Sequence, residues 1–354
     1  MKIPVLPGDG IGPEITAVTV RVLERLDRLF GLNLQFDIHE VGSASLKRTG
    51  STLPEPVIAA CRAAEGFILG PISHLNYPSR AQGGLNPSGE LRIALDLYAN
   101  VRPSRCYDGL SHWGRTPMDL VIVRENTEGF YADRNMHQGS GEFMPTPDLA
   151  LSLRKVSAHA SRRIAQTAFR LARRRRRRVT AVHKANVLKV TEGLFLRELR
   201  SVAQEYPDVS YDEQLVDSMA ALLVRDAARF DVVVTTNMYG DILSDEAAEL
   251  SGSLGLAGSI NAGDTHCMAQ AQHGSAPDIA GEDIANPCSL LISAGMLLGW
   301  LGERDGADNF LRAHSALEGA LASLMRAPAT RTRDLGGTLG TSAFGAALLE
   351  RLRS

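Results

Sequence analysis

The chain has 354 residues but only four cysteines, and this scarcity excludes two kinds of site. Cys61, Cys106, Cys267 and Cys288 form no C-x-x-C pair, so the sequence predicts neither a zinc knuckle nor a disulfide framework. Such sparse cysteine usage is typical of a reduced intracellular protein, and we therefore expect a cytoplasmic location.

Long apolar runs and a large net charge are also missing. No apolar run reaches the roughly 18 residues that a transmembrane helix needs, and the first residues form a strand-like segment without the apolar core of a signal peptide. The formal net charge of −2 favours neither nucleic acid nor a membrane surface as a partner. The hydrophobic fraction of 44% is ordinary, so we expect a globular protein.

Strand-like and helix-like segments alternate along most of the chain. Strands are predicted at 2–6, 34–39, 66–70, 120–124, 179–183 and 231–235, and helices at 13–30, 54–64, 90–99, 158–173, 192–205, 286–300, 304–325 and 342–352. This alternation predicts an α/β architecture with a largely parallel core. Segment 131–153 breaks the pattern, and a structureless loop of roughly 20 residues is improbable in a compact domain. We expect it to be a strand-like arm that reaches a second subunit.

Six consecutive arginines, residues 173–178, permit two interpretations. They could bind the phosphate backbone of a nucleic acid. They could instead form a solvated helix end whose positive charge complements the helix dipole before the next strand. We favour the second interpretation, because nothing else in the chain is basic or rich in aromatic residues that could stack on bases.

Two carboxylates four residues apart follow one of the predicted strands. Asp241 and Asp245 come after the apolar run 230–236, and the residues that contain them have a helical pattern. At this spacing both side chains lie on one face near the helix start. Carboxylate oxygens placed in this way suit Mg²⁺ or Mn²⁺. For this pair alone, a solvated acidic helix start is the structural alternative.

Three arginines suit an anionic substrate. Arg92 lies in a predicted helix, Arg102 precedes a proline, and Arg124 ends a buried strand. Arginine binds a planar carboxylate through two parallel hydrogen bonds, so converging arginines would indicate a di- or tricarboxylate. Taken singly, each is explained by a surface or ion-paired role.

Tyr131 and Lys184 each follow a strand and could transfer protons. Tyr131 could donate a proton at the carboxyl end of its strand, and a lysine beside a bound cation can serve as a general base. A structural tyrosine and a surface lysine are the alternatives.

A glycine- and proline-containing loop runs over residues 273–281 and ends near Asn286. Small residues let backbone approach a ligand closely. An acidic residue in such a loop can accept hydrogen bonds from a ribose diol and repel a 2′-phosphate, which selects NAD over NADP. Residues 7–14 contain G-x-G-x-G rather than G-x-G-x-x-G, and a proline opens the helix, so we reject an ordinary Rossmann fingerprint.

Together these segments resemble the β-decarboxylating dehydrogenases, the family of isocitrate, isopropylmalate and homoisocitrate dehydrogenases. The resemblance covers nearly the whole chain, through residues 7–14, 95–103, 124–131, 183–186, 236–245, 273–281 and 334–337. It implies an α/β isocitrate/isopropylmalate dehydrogenase-like fold rather than a Rossmann fold. A large discontinuous domain, 1–98 and 253–354, would contain the cofactor loops. A smaller inserted domain, 99–252, would contain the dimer interface, the metal ligands and the arm of a homodimer with shared active sites.

The resemblance also implies a role for each site residue. Asp241 and Asp245 would bind Mg²⁺ or Mn²⁺ together with the partner subunit's Asp217. The partner subunit's Lys184 would act as base, helped by Asp217, and Tyr131 as acid. The implied substrate contacts are Arg92, Arg102, Arg124, Asn86, Ser88 and Asn186, and the implied NAD contacts are Ile11, His273, Gly274, Ser275, Ala276, Pro277, Asp278, Ile279 and Asn286. Asp278 and Ile279 resemble the NAD type, because NADP isocitrate enzymes typically have Lys and Tyr there.

The implied reaction is oxidative decarboxylation of a (2R,3S)-3-substituted malate to a 2-oxo acid, with reduction of NAD. The 3-substituent should face the residues just before Arg92. Isopropylmalate enzymes usually have leucines there, whereas Asn86, Ser88 and Glu90 favour a polar substituent of the homoisocitrate or isocitrate type. Isocitrate enzymes have Ser and Asn in the reverse order, and homoisocitrate enzymes often have Arg in place of Gly89. A 3-isopropylmalate, tartrate or malate type of decarboxylating dehydrogenase therefore stays open.

Two further points bear on activity. Upstream of the cofactor loop the family often has Glu-Pro-x-His, where this chain has Gln270-Ala271-Gln272-His273, and the affinity for NAD could differ as a result.

A non-catalytic regulatory subunit would be expected to lack some catalytic or metal groups. None is lost here, so we expect an enzyme.

Overall fold

The computed structural model describes residues 1–131 and 135–352. The chain divides into two compact units. Unit 1 comprises Met1–Leu97, Tyr107–Ser111 and Gly252–Ser354, of which residues 353 and 354 lie outside the described part, and unit 2 comprises Tyr98–Cys106 and His112–Ser251. Along the chain, unit 2 is thus an insertion in unit 1.

The helices and strands follow one another in the alternating order expected of an α/β protein. The first part of unit 1 contains β1 (Lys2–Leu6), α1 (Gly12–Phe30), β2 (Gln35–Ile38), α2 (Gly42–Thr49), α3 (Glu55–Ala63), β3 (Gly66–Leu69) and α4 (Pro87–Ala94). Unit 2 contains β4 (Ala99–Arg105), β5 (Asp119–Glu125), β6 (Glu142–Thr146), β7 (Leu149–Ser152), α5 (Ala158–Arg173), β8 (Arg178–His183), α6 (Thr191–Ala203), β9 (Ser210–Leu215), α7 (Val216–Asp226), β10 (Val232–Thr235) and α8 (Asn237–Ser251). Unit 1 is completed by β11 (Ile260–Ala262), β12 (Cys267–Gln270), α9 (Cys288–Asp305), α10 (Asp308–Met325) and α11 (Thr341–Arg351).

The strands of unit 1 are arranged in the order β2-β1-β3-β12-β11. The first four are parallel and β11 is antiparallel to β12. β3 is buried along its whole length, as expected for a strand covered on both faces. Because β1, β3 and β12 are parallel, the loops after them emerge at the same edge of the sheet. These loops are residues 7–11, 70–77 and 271–281.

The main strands of unit 2 are arranged in the order β4-β5-β10-β8-β9, with β4 antiparallel and the other four parallel. Successive side chains of a strand point to opposite faces. Val121 and Val123 therefore pack in one apolar cluster with α5 and α6, while Leu120 and Ile122 pack in another with α7 and α8. Because β5, β10, β8 and β9 are parallel, their carboxyl ends lie at the same edge of the sheet.

Many predicted elements are confirmed, among them β1, α5 and the helix that contains Asp241 and Asp245. The helix predicted at 90–99 is confirmed over 90–94, but its predicted end is wrong, because α4 ends at Ala94 and Asp96 adopts a left-handed backbone with φ of 48°. The chain then pairs with β5 as a strand. In the described part of the chain, no helix has the length and apolar character needed to cross a bilayer.

The segment predicted to be an arm contains the antiparallel hairpin of β6 and β7. Its strand-like character is thus confirmed for these residues, while residues 132–134 of the predicted arm lie outside the described part. The side chains of Phe143, Met144, Leu149 and Leu151 are exposed in the single chain. Contact of this hairpin with a second subunit stays a prediction.

The arginine run joins the end of α5 to the start of β8. Several of its guanidinium groups bind neighbouring carboxylates, so much of its charge is balanced within the chain. The ion pairs among the described residues include Arg173–Asp208, Arg175–Asp119, Arg175–Asp231, Arg176–Asp231 and Arg178–Asp212. This pairing favours the structural interpretation of the run.

Candidate active site

The carboxyl edge of the unit 2 sheet contains most of the predicted catalytic residues. Arg124 is the penultimate residue of β5, and Lys184 directly follows β8. Asp217 lies in the first turn of α7 after β9, and Asp241 lies near the start of α8 after β10. Parallel strand order therefore assembles residues that are far apart in sequence.

Arg124 is the most deeply buried charged residue of this group, with 2% of its surface exposed. Its Nε donates a 2.8 Å hydrogen bond to Asn237 Oδ1, its Nη1 forms an ion pair with Asp241, and its Nη2 donates a 2.6 Å bond to the Tyr131 hydroxyl. A Cβ on Gly240 would lie 2.6 Å from the Arg124 side chain, so glycine lets α8 approach closely. A buried guanidinium requires partners of this kind.

Arg102 contacts the same pair of carboxylates and is 6% exposed. Its Nη1 lies 3.1 Å from Asp241 Oδ1 and 3.2 Å from Asp245 Oδ1, and it donates a 2.8 Å hydrogen bond to Ser244 Oγ. Burial, and then the positive charge of Arg124, lower the pKa of Arg102 to about 10. Arg102 is therefore still charged near neutral pH, and two guanidinium groups share two carboxylates.

The donor set around Asp241 and Asp245 fits a divalent cation with an anionic substrate. The two carboxylates lie one helical turn apart with 42% and 55% of their side-chain surface exposed, so oxygen ligands remain accessible. The Nε of Arg102 is buried and has no hydrogen-bond partner among the described residues, which suits an incoming carboxylate. Within the described part of one chain, no group of three or more His, Cys, Asp or Glu side chains is arranged to hold a metal.

Lys184 and Asp217 form a second group at the same sheet edge. Lys184 Nζ donates a 2.6 Å hydrogen bond to Asp217 Oδ1. This bond is the main reason why the pKa of Asp217 lies below its ordinary value. Both side chains are partly exposed, so the ammonium and the carboxylate are accessible from solvent. Asn186, a predicted substrate contact, is exposed in the turn that follows.

The predicted substrate residues of unit 1 meet at Gln270. Its Oε1 accepts hydrogen bonds from Ser88 Oγ at 2.8 Å and Arg92 Nη2 at 3.3 Å, with Asn261 Nδ2 at 3.4 Å. Asn86, another predicted substrate contact, has a structural role: its Oδ1 accepts a hydrogen bond from Gly89 N and caps α4. Glu90, which precedes Arg92 by two residues, is ion-paired with Arg80.

The predicted cofactor loop is attached to the turn after β1. Ile11 N donates a 2.9 Å bond to Ser275 O, and a Cβ on Gly10 would lie only 1.9 Å from the same oxygen, so only glycine fits there. The hydroxyls of Ser73 and Ser275 lie 2.6 Å apart. A short helical turn, Pro277–Ile279, follows, with Asp278 exposed and Gly274 open to solvent.

The ends of this loop have polar groups that fit a nucleotide. His273 Nδ1 lies 2.9 Å from Gly274 O, whereas its Nε2 is buried without a hydrogen-bond partner among the described residues. Burial lowers the pKa of His273, which keeps the imidazole neutral and able to bond a base or ribose. Asn286 Nδ2 donates a 2.8 Å bond to Asp334 Oδ2 and its Oδ1 accepts from Cys288 N, so this side chain is held in place.

Sequence reasoning missed three residues that hold predicted site residues. Asn237 and Ser244 bond Arg124 and Arg102, and Gln270 bonds Ser88 and Arg92. Asn237 and Ser244 lie in the same segment as Asp241 and Asp245, the predicted metal ligands, and their polar character was the available signal. For Gln270 the signal was its departure from the glutamate that the family often has.

Comparisons with known proteins agree with the motifs. The sequence profile of the isocitrate/isopropylmalate dehydrogenase family matches residues 2–348. The isocitrate/homoisocitrate dehydrogenase of Thermus thermophilus is 42% identical, covering 100% of this chain and 99% of that protein. The 3-isopropylmalate/3-methylmalate dehydrogenase of Methanocaldococcus jannaschii is 40% identical, covering 99% of each. Among solved structures, the isocitrate dehydrogenase of Methylococcus capsulatus is 39% identical, with a TM-score of 0.88 over 100% of this chain and 99% of that one.

Proposed function

Because the chain belongs to the isocitrate/isopropylmalate dehydrogenase family of oxidatively decarboxylating dehydrogenases, we propose that it converts a (2R,3S)-3-substituted malate to a 2-oxo acid and CO₂. The oxidant would be NAD⁺, with Mg²⁺ or Mn²⁺ as the metal. The observation that supports this most strongly is the group formed by Arg102, Arg124, Tyr131, Asp241 and Asp245. It combines two guanidinium groups, two accessible carboxylates and one phenol, which suits a metal-chelating hydroxy acid.

Substrate binding would use the arginines. Arg102 and Arg124, together with Arg92, would bind the carboxylates of the malate unit. The Nε–H of Arg102, which has no hydrogen-bond partner among the described residues, would be one donor to a substrate carboxylate. Charge-assisted bonds to buried guanidinium groups are short and directional, so they would fix the orientation of the C2–H bond.

Metal binding would use Asp241 and Asp245 of one chain and the partner subunit's Asp217. On this proposal the protein is a homodimer in which each active site contains residues from both chains, including the partner subunit's Lys184. When bound, the cation supplies positive charge that favours loss of the hydroxyl proton, and NAD⁺ accepts the hydride. The exposure of Lys184 and Asp217 in a single chain supports such sharing.

Proton transfer would be divided between two residues. The partner subunit's Lys184, as a neutral amine, would take the proton of the 2-hydroxyl, and Asp217 of the same subunit would orient this amine through their 2.6 Å contact. After CO₂ leaves, the Tyr131 hydroxyl would give its proton to the substrate carbon. Arg124 donates to that hydroxyl, so the phenolate left behind would face a positive charge.

Cofactor binding would use the loop from His273 to Ile279 together with Ile11 and Asn286. Asp278 is exposed within a helical turn and could accept hydrogen bonds from the ribose diol of NAD. The same carboxylate would repel the 2′-phosphate of NADP. The open space at Gly274 would let the backbone approach the adenosine.

The 3-substituent is the least constrained part of the proposal. Ser88 and Asn86 favour a polar group of the homoisocitrate or isocitrate type, and the Thermus thermophilus relative has a name of that kind. The second candidate is an apolar substituent, because several relatives of similar identity are named 3-isopropylmalate dehydrogenases.

We also propose that the domains divide at 98/99 and 252/253 and that the protein is cytoplasmic.

A substrate panel tests this proposal. The purified protein would be incubated with malate, tartrate, isocitrate, homoisocitrate or 3-isopropylmalate, each with NAD⁺ and Mg²⁺ or Mn²⁺. We expect NADH and CO₂ in equal amounts with at least one 3-substituted malate, and highest kcat/KM with a polar substituent. NADH formation without CO₂, or no turnover of any 3-substituted malate, would contradict the proposal.

A further inference from the structure

Two buried charged residues of unit 2 take no part in the reaction proposed above. Glu192 in α6 is fully buried, and only 7% of the Arg154 side chain, between β7 and α5, is exposed. Their guanidinium and carboxylate groups form an ion pair. Desolvating two charges offsets most of their attraction, so such a pair adds little net stability compared with apolar side chains. Another role is therefore worth seeking for it.

Glu192 holds the backbone from which the proposed base projects. Its Oε2 accepts a 3.0 Å hydrogen bond from the backbone N–H of Lys184. This bond fixes the first residue after β8, where the chain leaves the sheet. The Lys184 ammonium is then directed at Asp217 Oδ1, 2.6 Å away. A shift of the Glu192 carboxylate would therefore move Lys184 through this single hydrogen bond to its backbone N–H.

Arg154 connects Glu192 to neighbours of the acid and the metal ligand that this chain would contribute to its own active site. Its Nη2 donates a 2.8 Å bond to Thr236 Oγ1, one residue before α8 begins. Its guanidinium carbon lies 5.2 Å from the ring centre of Tyr239 and 5.6 Å from that of Phe130. Tyr239 precedes the proposed metal ligand Asp241 by two residues, and Phe130 precedes the proposed acid Tyr131.

We infer that the Arg154–Glu192 ion pair positions Lys184, the general base that this chain would contribute to the partner subunit's active site. This inference rests on the proposed function, in which Lys184 takes the hydroxyl proton. Neither side chain contacts the reacting atoms, so both are positioning residues. A misplacement of about 1 Å at a reacting group can slow chemistry by about 100-fold. Loss of the pair should therefore slow the chemical step more than it weakens binding.

Three substitutions separate positioning from structural support. Glu192→Gln keeps an acceptor for the Lys184 N–H but removes the charge that binds Arg154. Arg154→Met removes the cation, and Arg154→Lys restores a charge without the planar guanidinium. We expect kcat to fall about 10- to 100-fold in the first two variants, with KM values changing less than about threefold and partial recovery in Arg154→Lys. The deuterium isotope effect for substrate labelled at C2 should rise, because hydride transfer becomes rate-limiting.

A matched control is the ion pair of Arg175 with Asp231 at the opposite end of β10. Asp231 is also buried, and its bond to Arg175 measures 2.8 Å. Asp231→Asn should lower the Tm as much as Glu192→Gln does, without altering kcat or the isotope effect. This comparison identifies effects that arise only from losing a buried charge pair.

Two results would decide against the inference. If folded Glu192→Gln keeps wild-type kcat and isotope effect, the pair does not position the base. If Glu192→Gln fails to fold, the same two measurements on Arg154→Met decide, and unchanged values again overturn the inference. The variant Lys184→Met shows whether the positioning role alone is wrong or whether the base assignment in the proposed function is wrong as well. Near-normal turnover in Lys184→Met removes the base assignment itself, whereas an inactive Lys184→Met beside a fully active Glu192→Gln removes only the positioning role.

Discussion

The hydroxyl of Tyr131 donates a 3.0 Å hydrogen bond to Asp241 Oδ2. The same hydroxyl accepts a 2.6 Å bond from Arg124 Nη2, and Arg124 is ion-paired with Asp241. The proposed acid, a proposed metal ligand and a proposed substrate arginine are therefore members of one closed hydrogen-bonded group. Binding of a metal to Asp241 or of a substrate carboxylate to Arg124 would therefore change the hydrogen bonds of the Tyr131 hydroxyl, the proposed proton donor.

Tyr131→Phe should separate hydride transfer from the later protonation of carbon. The phenyl ring can keep the contact with Arg124, whose guanidinium carbon lies 5.5 Å from the Tyr131 ring centre, while the proton donor is lost. We expect kcat to fall by about 10²- to 10⁴-fold. Rapid mixing should show a burst of one NADH per active site before slow turnover, because oxidation precedes the blocked step. A variant with no burst and unchanged turnover would exclude Tyr131 as the acid.

Asp245→Asn should weaken metal binding without unfolding the chain, because the side chain is mostly exposed and the amide keeps its shape. A ligand at 100 times its Kd stabilises the folded state by about 2.7 kcal/mol. We therefore expect Mn²⁺ to raise the Tm of the wild type but not that of Asp245→Asn. The matched control is Glu249→Gln, another exposed acid of α8, which should respond to Mn²⁺ as the wild type does. An equal Mn²⁺ shift in all three proteins would contradict the metal assignment.

The double substitution Asp278→Lys with Ile279→Tyr should shift cofactor preference towards NADP. It removes a carboxylate that would repel the 2′-phosphate and adds a cation that can bind it. The measurement is the ratio of kcat/KM for NAD⁺ to that for NADP⁺, which we expect to fall at least about tenfold. Glu282→Lys makes a similar charge change at a nearby exposed residue and should leave the ratio nearly constant. A shift of equal size in the control would indicate a general charge effect.

Local sequence patterns were sufficient to predict the helix that contains Asp241 and Asp245, the proposed metal ligands. The i, i+4 spacing of Asp241 and Asp245 after an apolar run indicated one face of a helix, and α8 confirms that helix. Helix α5 has the ends predicted for it; in the structure Ser157 caps its first turn. In both places the local preferences agree with the fold.

Contacts formed by sheet order could not be predicted in the same way. Gln270 lies 178 residues from Arg92, and their hydrogen bond depends on β12 pairing beside β3. No periodicity or spacing in the sequence reports which strands become neighbours. The wrong helix boundary near Ala94 has a different cause. Asp96 adopts a positive φ that non-glycine residues take uncommonly, and the local sequence pattern did not predict it.

Ser88→Leu should change the preference for the 3-substituent. The Ser88 hydroxyl donates to Gln270 Oε1, and leucine would replace this polar contact with apolar surface. We expect kcat/KM for a polar substituent to fall relative to that for 3-isopropylmalate by about 10- to 100-fold. Ser88→Ala is the control, because it removes the hydroxyl without adding apolar volume and should weaken the polar substrate alone. Equal losses with both substrates in Ser88→Leu would mean that Ser88 does not face the substituent.

His273 should make stability depend on pH in a defined direction. Burial lowers its pKa below the ordinary 6.5, and the weaker opposing effects of the Gly274 carbonyl and Asp334 do not reverse this. Below pH 6.5 the unfolded chain therefore binds a proton that the folded chain excludes. The contribution of the neutral ring to stability is present above that pH and is lost as pH falls towards the folded pKa.

His273→Asn should consequently flatten the loss of Tm between about pH 7 and about pH 5.5. Part of the loss should remain, because burial also lowers the pKa of His183. His74→Asn, a change at an exposed histidine, should keep the wild-type profile. Saturating NAD⁺ should steepen the profile of the wild type more than that of His273→Asn if the ring bonds the cofactor only when neutral. Profiles of equal slope for wild type and His273→Asn would contradict both the burial argument and the predicted cofactor contact.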